Sequence, residues 1–505
     1  TPFVTTLKKY TEVTEVAHTN IDSLNKELKK YNTVIVGYHK PDKVYGKPDF
    51  SETELLFLQE IAKNNTVILD VFTKPYALLQ LPNFDSIEGL VVSYQNSNIA
   101  QEVSAQLLFG AIAAKGKLPV SINKSFKVNT GLTTQKLNRL GFTAPENVGI
   151  NTETLKTIDS VAQKAIDDKI TPGIQLLVAR KGKVIYQKSY GYLTYQNEKK
   201  VVNTDLYDVA SITKMIATLP NVMQQSDQKK LADMVPFLKD SNKKDINFKD
   251  LMLHHAGLVA YIPFYKKTLD SSSMPSEQYY RKNFDPQFSK RVSKNLYIRN
   301  DYHDTIMKII TDSPLSLKKE YKYSDLTFML LKEYLENTTK KKLDVLAKEN
   351  FYNSIGMNNT GFNPLQKHSS NTIASTEIDN YFRHDTIQGF VHDQGAAIEG
   401  GIAGHAGIFS NTMDIAKMMQ LFLQKGDYGN KRYFSEKTFD LFNSCYLCDQ
   451  GVHRGLGFDK NVSCECASAA SFGHTGFTGN IAWVDPETEI VYVFLSNRTY
   501  PEVIP

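Results

Sequence analysis

Apolar and polar positions divide the chain into two stretches of different periodicity. In the first, short apolar runs at 33–36 (TVIV), 66–71 (TVILDV) and 89–92 (GLVV) alternate with helical patterns such as 52–63 (ETELLFLQEIAK). Such alternation predicts buried strands in a parallel sheet with helices between them. Residues 101–122 (QEVSAQLLFGAIAAKGKLPVSI) read as an amphipathic helix, a glycine turn and a short strand. Residues 126–147 have little apolar periodicity and several Thr, Asn, Gly and Pro, and read as a linker.

From Val148 the pattern changes. Asn151–Asp168 predicts a capped helix, and Gly173–Arg180 with Val184–Tyr192 alternate around KGK as a hairpin. Residues 215–400 read as mainly helical and loop-rich, with a polar insertion at 265–300 and a helix at Asp325–Glu336. Met413–Gln424 predicts another helix. Strand patterns return at Gly455–Asp459, Ser471–Thr475, Asn480–Val484 and Ile490–Ser496. Strands at both ends around a helical insert predict an α+β unit whose ends share one antiparallel sheet. The expected organisation is an α/β domain at 1–125, a linker, and an α+β domain at 148–505.

Composition narrows the class. The 505 residues are 41% hydrophobic and 22% charged, ordinary for globular protein. A net charge of +5 over this length gives no case for nucleic acid. No apolar run reaches membrane-spanning length. A GxGxxG phosphate loop is absent, so nucleotide binding has no support. The N-terminal TPFVTTLKKY lacks an apolar signal core and reads as the start of a piece of a longer protein. The four cysteines, Cys445, Cys448, Cys464 and Cys466, all fall within residues 445–466. Three states fit that spacing: two disulfides in an oxidising compartment, a four-thiolate zinc site, or free thiols.

The stretch 207–214 (YDVASITK) carries candidate chemistry. A strand end runs into a helix start, placing Ser211 and Lys214 on one helical face. A serine becomes a nucleophile when a neighbouring group takes its proton. The same spacing recurs at Ser23/Lys26, Ser121/Lys124, Ser226/Lys229, Ser241/Lys244 and Ser316/Lys319, so spacing alone decides nothing. Two further pieces follow in order: Tyr323-Ser324-Asp325 at a loop-to-helix junction, and His474-Thr475-Gly476 opening a late strand. With Ser211 as nucleophile, Lys214 and Tyr323 would share base and relay work, each with a lowered pKa. The backbone amides of Ser211 and Phe477 would hold the oxyanion. Gly476 would let a substrate backbone approach.

This ordered set resembles the penicillin-binding-protein and serine β-lactamase superfamily. The branch it resembles has Tyr-x-Asn and a His-Thr-Gly strand and includes class C-like β-lactamases, family VIII esterases and D-aminopeptidases. DLMLHHAGL, FSNTMDIAK and FGHTGFTGNIAWVDP add to the likeness. The stretch VHDQGAAIEGGIAGHAGIFSNTMDIAKMMQLF resembles the exo-acting N-acetylmuramoyl-L-alanine amidases. Residues 1–125, with VILDVFTKPYAL, GLVVSYQN and the GKLPVSI ending, resemble the C-terminal α/β sandwich domain of glycoside hydrolase family 3.

The resemblance implies a β-lactamase/transpeptidase-like domain behind the remnant of a β-N-acetylglucosaminidase whose barrel would lie upstream. It implies cleavage of the amide between MurNAc and L-Ala in muropeptides, no cofactor, and a periplasmic or cell-envelope location. Asp325 departs from the commoner Asn and would change how Lys214 and Tyr323 titrate. His474 replaces the Lys of most penicillin binders. The usual C-terminal helix is not seen before the chain stops at PEVIP. His405, in GHAG, and His392-Asp393 are candidates to line the pocket, whereas His254 and His255 read as packing and capping. Rival functions are an esterase, a D-amino-acid peptidase, a β-lactamase, or a catalytically silent module that binds cell-wall peptides.

Overall fold

A computed structural model describes residues 1–41, 50–81, 83–225, 231–460 and 466–503. It separates into two compact units, Thr1–Gly141 and Phe142–Pro505.

In the first unit the three apolar runs become strands Val34–His39, Val67–Phe72 and Gly89–Val92, parallel and adjacent in that order. The helix Glu52–Asn64 starts at a capping box, in which Ser51 Oγ accepts from the Glu54 amide and Glu54 accepts from the Ser51 amide. Its buried Leu58 and Ile61 pack with Val67, Leu69 and Val71. The short strand expected within 111–122 does not form. Helix Asn98–Leu108 is followed by a loop in which Leu118 and Ile122 are buried in the same cluster. Their amides bond to Thr130 and Phe126 carbonyls, so a turn satisfies the backbone where a sheet was expected.

The second unit is built on a six-stranded sheet. Its order is Phe472–Gly476, Asn480–Asp485, Ile490–Ser496, Gly173–Arg180, Lys183–Gly191 and the edge strand Gly141–Phe142 through which the chain enters. The first five pair antiparallel, so the two ends of the unit do share one sheet. Side chains alternate across it. Ile174, Leu176 and Phe494 face helix Thr152–Asp167. Gln175, on the opposite face, accepts from the Thr412 amide at the start of helix Thr412–Leu423.

Two sequence expectations fail here. Gly455–Asp459 is a loop held by bridges from Asp459 to Arg454 and Gly473. Gly457 sits there at φ +98°, against strand pairing. The polar insertion carries a small antiparallel sheet of Tyr280–Arg281, Leu296–Ile298 and Lys290–Ser293, strands too short and polar to show a period. No helix of the described residues is long and apolar enough to cross a membrane.

Candidate active site

The nucleophile segment is fixed before its helix begins. Strand Tyr207–Asp208 pairs with Ile408–Ser410. The buried Asp208 carboxylate accepts from the Ala210 amide at 2.8 Å and from the His392 amide at 2.6 Å. Burial pushes its pKa up, against those two bonds. Ala210 is held at φ +46°, a region that costs a non-glycine residue about 1–3 kcal/mol and that clusters at functional sites. Ser211 follows, partly exposed, and a wide π-turn at Lys214–Thr218 is buried behind it.

Lys214 is 0% exposed, and its ammonium meets three acceptors. It donates to Ser211 Oγ at 2.8 Å and the His405 carbonyl at 3.0 Å, and lies 2.7 Å from Asp325 Oδ1. Three donors thus have three partners. Burial lowers its pKa, but Asp325 and Tyr323 outweigh that, so the net direction is upward. The lowered lysine pKa expected from sequence is therefore reversed. The cause is Asp325, an anion where an asparagine would be neutral. Asp325 begins helix Asp325–Thr339, its amide bonded to the Ala260 carbonyl at 3.1 Å.

Tyr323 Oη donates to Ser211 Oγ at 3.4 Å. Two groups lie around its ring: His254, expected to pack, and Arg454, which the sequence did not single out. Buried His254 lies 4.7 Å from the ring, and its Nδ1 accepts from the Ser324 amide at 3.1 Å. Arg454 is 4% exposed, its guanidinium 5.5 Å from the Tyr323 ring. Its Nε and one terminal nitrogen have no hydrogen-bond partner among the described residues. Arg454 escapes the sequence because it lies in an irregular loop that only the tertiary fold lays over Tyr323. Asp208 lay inside the nucleophile motif, with nothing local to reveal its second amide.

His474 is buried 6.1 Å from Tyr323, ring to ring. Burial, Arg454 and Lys214 push its pKa down to about 3, so the imidazole is neutral at physiological pH. Its Nδ1 lies 2.7 Å from the Thr475 carbonyl and its Nε2 is buried without a partner among the described residues. Thr475 and Phe477 are exposed. The amides of Ser211 and Phe477 donate to no carbonyl among the described residues.

Gly476 also has a structural use within the chain. A Cβ there would lie 2.5 Å from the Val209 carbonyl oxygen. The absent side chain lets the edge strand close on the nucleophile segment, and Thr478 and Asn480 complete the join by donating to the Asp208 carbonyl at 2.7 and 2.8 Å. Gly476→Ala is expected to push Phe477 away from Ser211 and lower kcat about 10²–10³-fold, the scale of losing one oxyanion donor. Steady-state kinetics beside a thermal melt checks this. Unchanged kcat would mean the two segments separate without consequence.

The remaining candidates split. His405 is buried; its carbonyl serves Lys214 and its Nε2 lies 2.9 Å from Asp393 Oδ1. Asp393 also caps helix Gln394–Ile398 by accepting from the Ala396 amide at 2.7 Å. Burial opposes ionisation of Asp393, yet His405 and the capping amide hold its carboxyl well below the usual range. His392 turns its side chain to Glu377, at 3.1 Å, and its ring lies 5.6 Å from that of Phe477.

Cys445 and Cys448 form a disulfide, and Cys466 is disulfide-bonded as well. Cys464 lies outside the described residues. The free-thiol reading is thus excluded for the described cysteines. The zinc reading is left without three of its four thiolates, those of Cys445, Cys448 and Cys466, although His453 Nδ1 lies 3.6 Å from Cys448 Sγ.

The fold and this constellation define a serine hydrolase of β-lactamase/transpeptidase-like architecture. The Beta-lactamase family profile matches residues 158–504, and the chain belongs to that family. A protein of Escherichia coli O157:H7 with the provisional name D-alanyl-D-alanine carboxypeptidase is 30% identical over 416 residues, covering 74% of this chain and 89% of its own length. Its counterpart in Escherichia coli K12 is 29% identical with the same coverage. Among solved structures, the octameric penicillin-binding protein homologue from Pyrococcus abyssi shares the fold at TM-score 0.51 and 16% identity, covering 70% of this chain and 75% of its own.

Proposed function

We propose that the second unit hydrolyses an amide of peptidoglycan-derived fragments through an ester on Ser211, and that the bond joins the lactyl group of N-acetylmuramic acid to L-alanine. The observation that carries the chemistry is the contact of Ser211 Oγ with Lys214 at 2.8 Å and Tyr323 at 3.4 Å. In the free-amine form of Lys214, Ser211 Oγ attacks the amide carbon, and its proton passes through Lys214 and Tyr323 to the leaving nitrogen as the C–N bond breaks. The Ser211 and Phe477 amides hold the oxyanion. Water then hydrolyses the ester and regenerates the serine. The likeness of the first unit to a family 3 glycosidase domain supports a wall fragment as substrate. The disulfide supports an oxidising, extracytoplasmic compartment.

A second reading is a D-alanyl-D-alanine carboxypeptidase, the name its relatives carry. Arg454 favours it: a buried guanidinium with unpaired nitrogens beside Tyr323 suits a leaving group that ends in a carboxylate. Incubation with MurNAc-L-Ala-D-Glu and with a peptide ending in D-Ala-D-Ala, read by mass spectrometry, separates the two. Free MurNAc supports the amidase; release of D-alanine alone supports the carboxypeptidase. Turnover of p-nitrophenyl acetate with both fragments intact would point to an esterase, and of a penicillin to a β-lactamase. If no substrate is cleaved and Ser211 takes up no acyl probe, the silent binding module remains.

A further inference from the structure

A cavity of about 700 Å³ lies in the second unit, apart from Ser211. Its floor is a locked charge cluster. Buried Lys332 lies 3.3 Å from Glu399, and His303 Nδ1 lies 3.0 Å from the same carboxylate. Glu333 and Glu399 raise the His303 pKa to about 9, so it is a cation. These groups satisfy one another and leave little for a ligand.

The rim differs. The Lys290 ammonium makes no hydrogen bond or ion pair among the described residues, and its stem lies against Gly400, where a Cβ would come within 3.3 Å of it. Burial pulls its pKa down, against the pull of Glu399. The neighbouring Arg291 guanidinium lies 5.0 Å from the Phe390 ring and donates one bond to the Lys294 carbonyl. Leu365, Phe390 and Ile402 present partly exposed apolar surface to the cavity. With His303 charged, five cationic side chains line it against four carboxylates, Asp301, Asp304, Glu336 and Glu399. An excess of one positive charge suits a monoanion better than a phosphate.

The cavity also shares walls with the catalytic site. Helix Asp325–Thr339 carries Asp325 at its start and Lys332 and Glu336 on the cavity wall, about 10 and 16 Å further along at 1.5 Å per residue. Helix Gln394–Ile398 is flanked by Asp393, which holds His405, and by Glu399, in the cavity floor. A peptide of three to five extended residues spans that distance, at about 3.3–3.6 Å each.

We propose that this cavity is a second subsite that binds a single carboxylate on an apolar stem, through Lys290 and Arg291, and that its occupant is the acidic peptide arm of the substrate processed at Ser211. The occupant's identity rests on the wall-fragment reading above; the carboxylate chemistry does not.

The test compares wild type, Lys290→Gln, Arg291→Gln and Lys290→Arg on a muramoyl peptide with a free carboxylate in its peptide arm and on the same peptide amidated there. Wild type is expected to show a KM about tenfold lower for the free acid, the scale of one charge-assisted bond. Lys290→Gln and Arg291→Gln should narrow that gap with kcat unchanged, and Lys290→Arg should keep it. p-Nitrophenyl acetate turnover should stay the same in all four. An undiminished preference in both glutamine variants, or an equal loss on both peptides, overturns the subsite. The free acidic peptide should inhibit wild type competitively; stimulation, or inhibition of another type, would make the occupant a separate effector and overturn the assignment to the substrate arm. If no fragment is cleaved at all, the reading at Ser211 falls, and calorimetry of the acidic against the amidated peptide on Ser211→Ala still decides the cavity: equal affinities overturn it.

Discussion

Ser211→Ala is expected to abolish labelling by a fluorophosphonate and to lower amide hydrolysis by at least about 10⁴-fold, with the fold intact. The direction follows from the contacts. Ser211 Oγ meets Lys214 and Tyr323, and no other polar group among the described residues of the site is placed to replace it as a nucleophile. The fold should survive because Ser211 is partly exposed and its loss leaves Lys214 with two of its three acceptors, the His405 carbonyl and Asp325. Sheet register and helix packing do not pass through the serine. Intact-mass spectrometry with the probe, together with a thermal melt, checks both halves. Hydrolysis that persists in a folded Ser211→Ala protein would remove the acyl-enzyme reading and leave any turnover to another site.

The same residues show what a sequence can and cannot reveal. Strand Ile490–Ser496 is readable because both its faces are covered, Tyr492 and Phe494 on one and the buried Val491, Val493 and Leu495 on the other, so the sequence shows an unbroken apolar run. The nucleophile motif is readable because a strand end and helix start are local events. The fold then brings Tyr323 to Ser211 and His474 beside Tyr323. Arg454 and Asp208 are not readable. Each acts across a distance in sequence, Arg454 on Tyr323 and Asp208 on the His392 amide, and neither contact has a local period. The strand expected at 455–459 fails for a related reason. An alternating pattern there gives way to Gly457 in a positive-φ turn, and the loop it makes delivers Arg454 to the site.

Gly476 and Ala210 belong to one device. The edge strand can close on the nucleophile segment only because Gly476 lacks a Cβ. The segment can present Ser211 at that point because Asp208 restrains the strained Ala210 backbone. Packing, hydrogen bonding and strain are therefore concentrated within a few residues of the serine.

Lys214→Gln is expected to cost about 10²–10⁴-fold in kcat/KM, the usual worth of a positioned acid or base, with no recovery at high pH. Asp325→Asn should act with the opposite sign on the pH profile. In the native site Asp325 and Tyr323 hold the Lys214 pKa above the ordinary lysine value despite full burial. An ammonium cannot accept the serine proton, so activity that depends on the free amine rises as pH climbs toward that raised pKa. Replacing Asp325 with asparagine removes the strongest attraction holding the proton on the amine, while burial remains. The lysine pKa falls, the amine becomes populated at lower pH, and the rising limb of kcat/KM moves in the acid direction. The Ser211–Lys214 contact should persist, because asparagine still offers a carbonyl oxygen to the lysine. A rising limb that stays in place in Asp325→Asn would assign the base role to Tyr323, with Lys214 remaining charged throughout and serving to stabilise the phenolate.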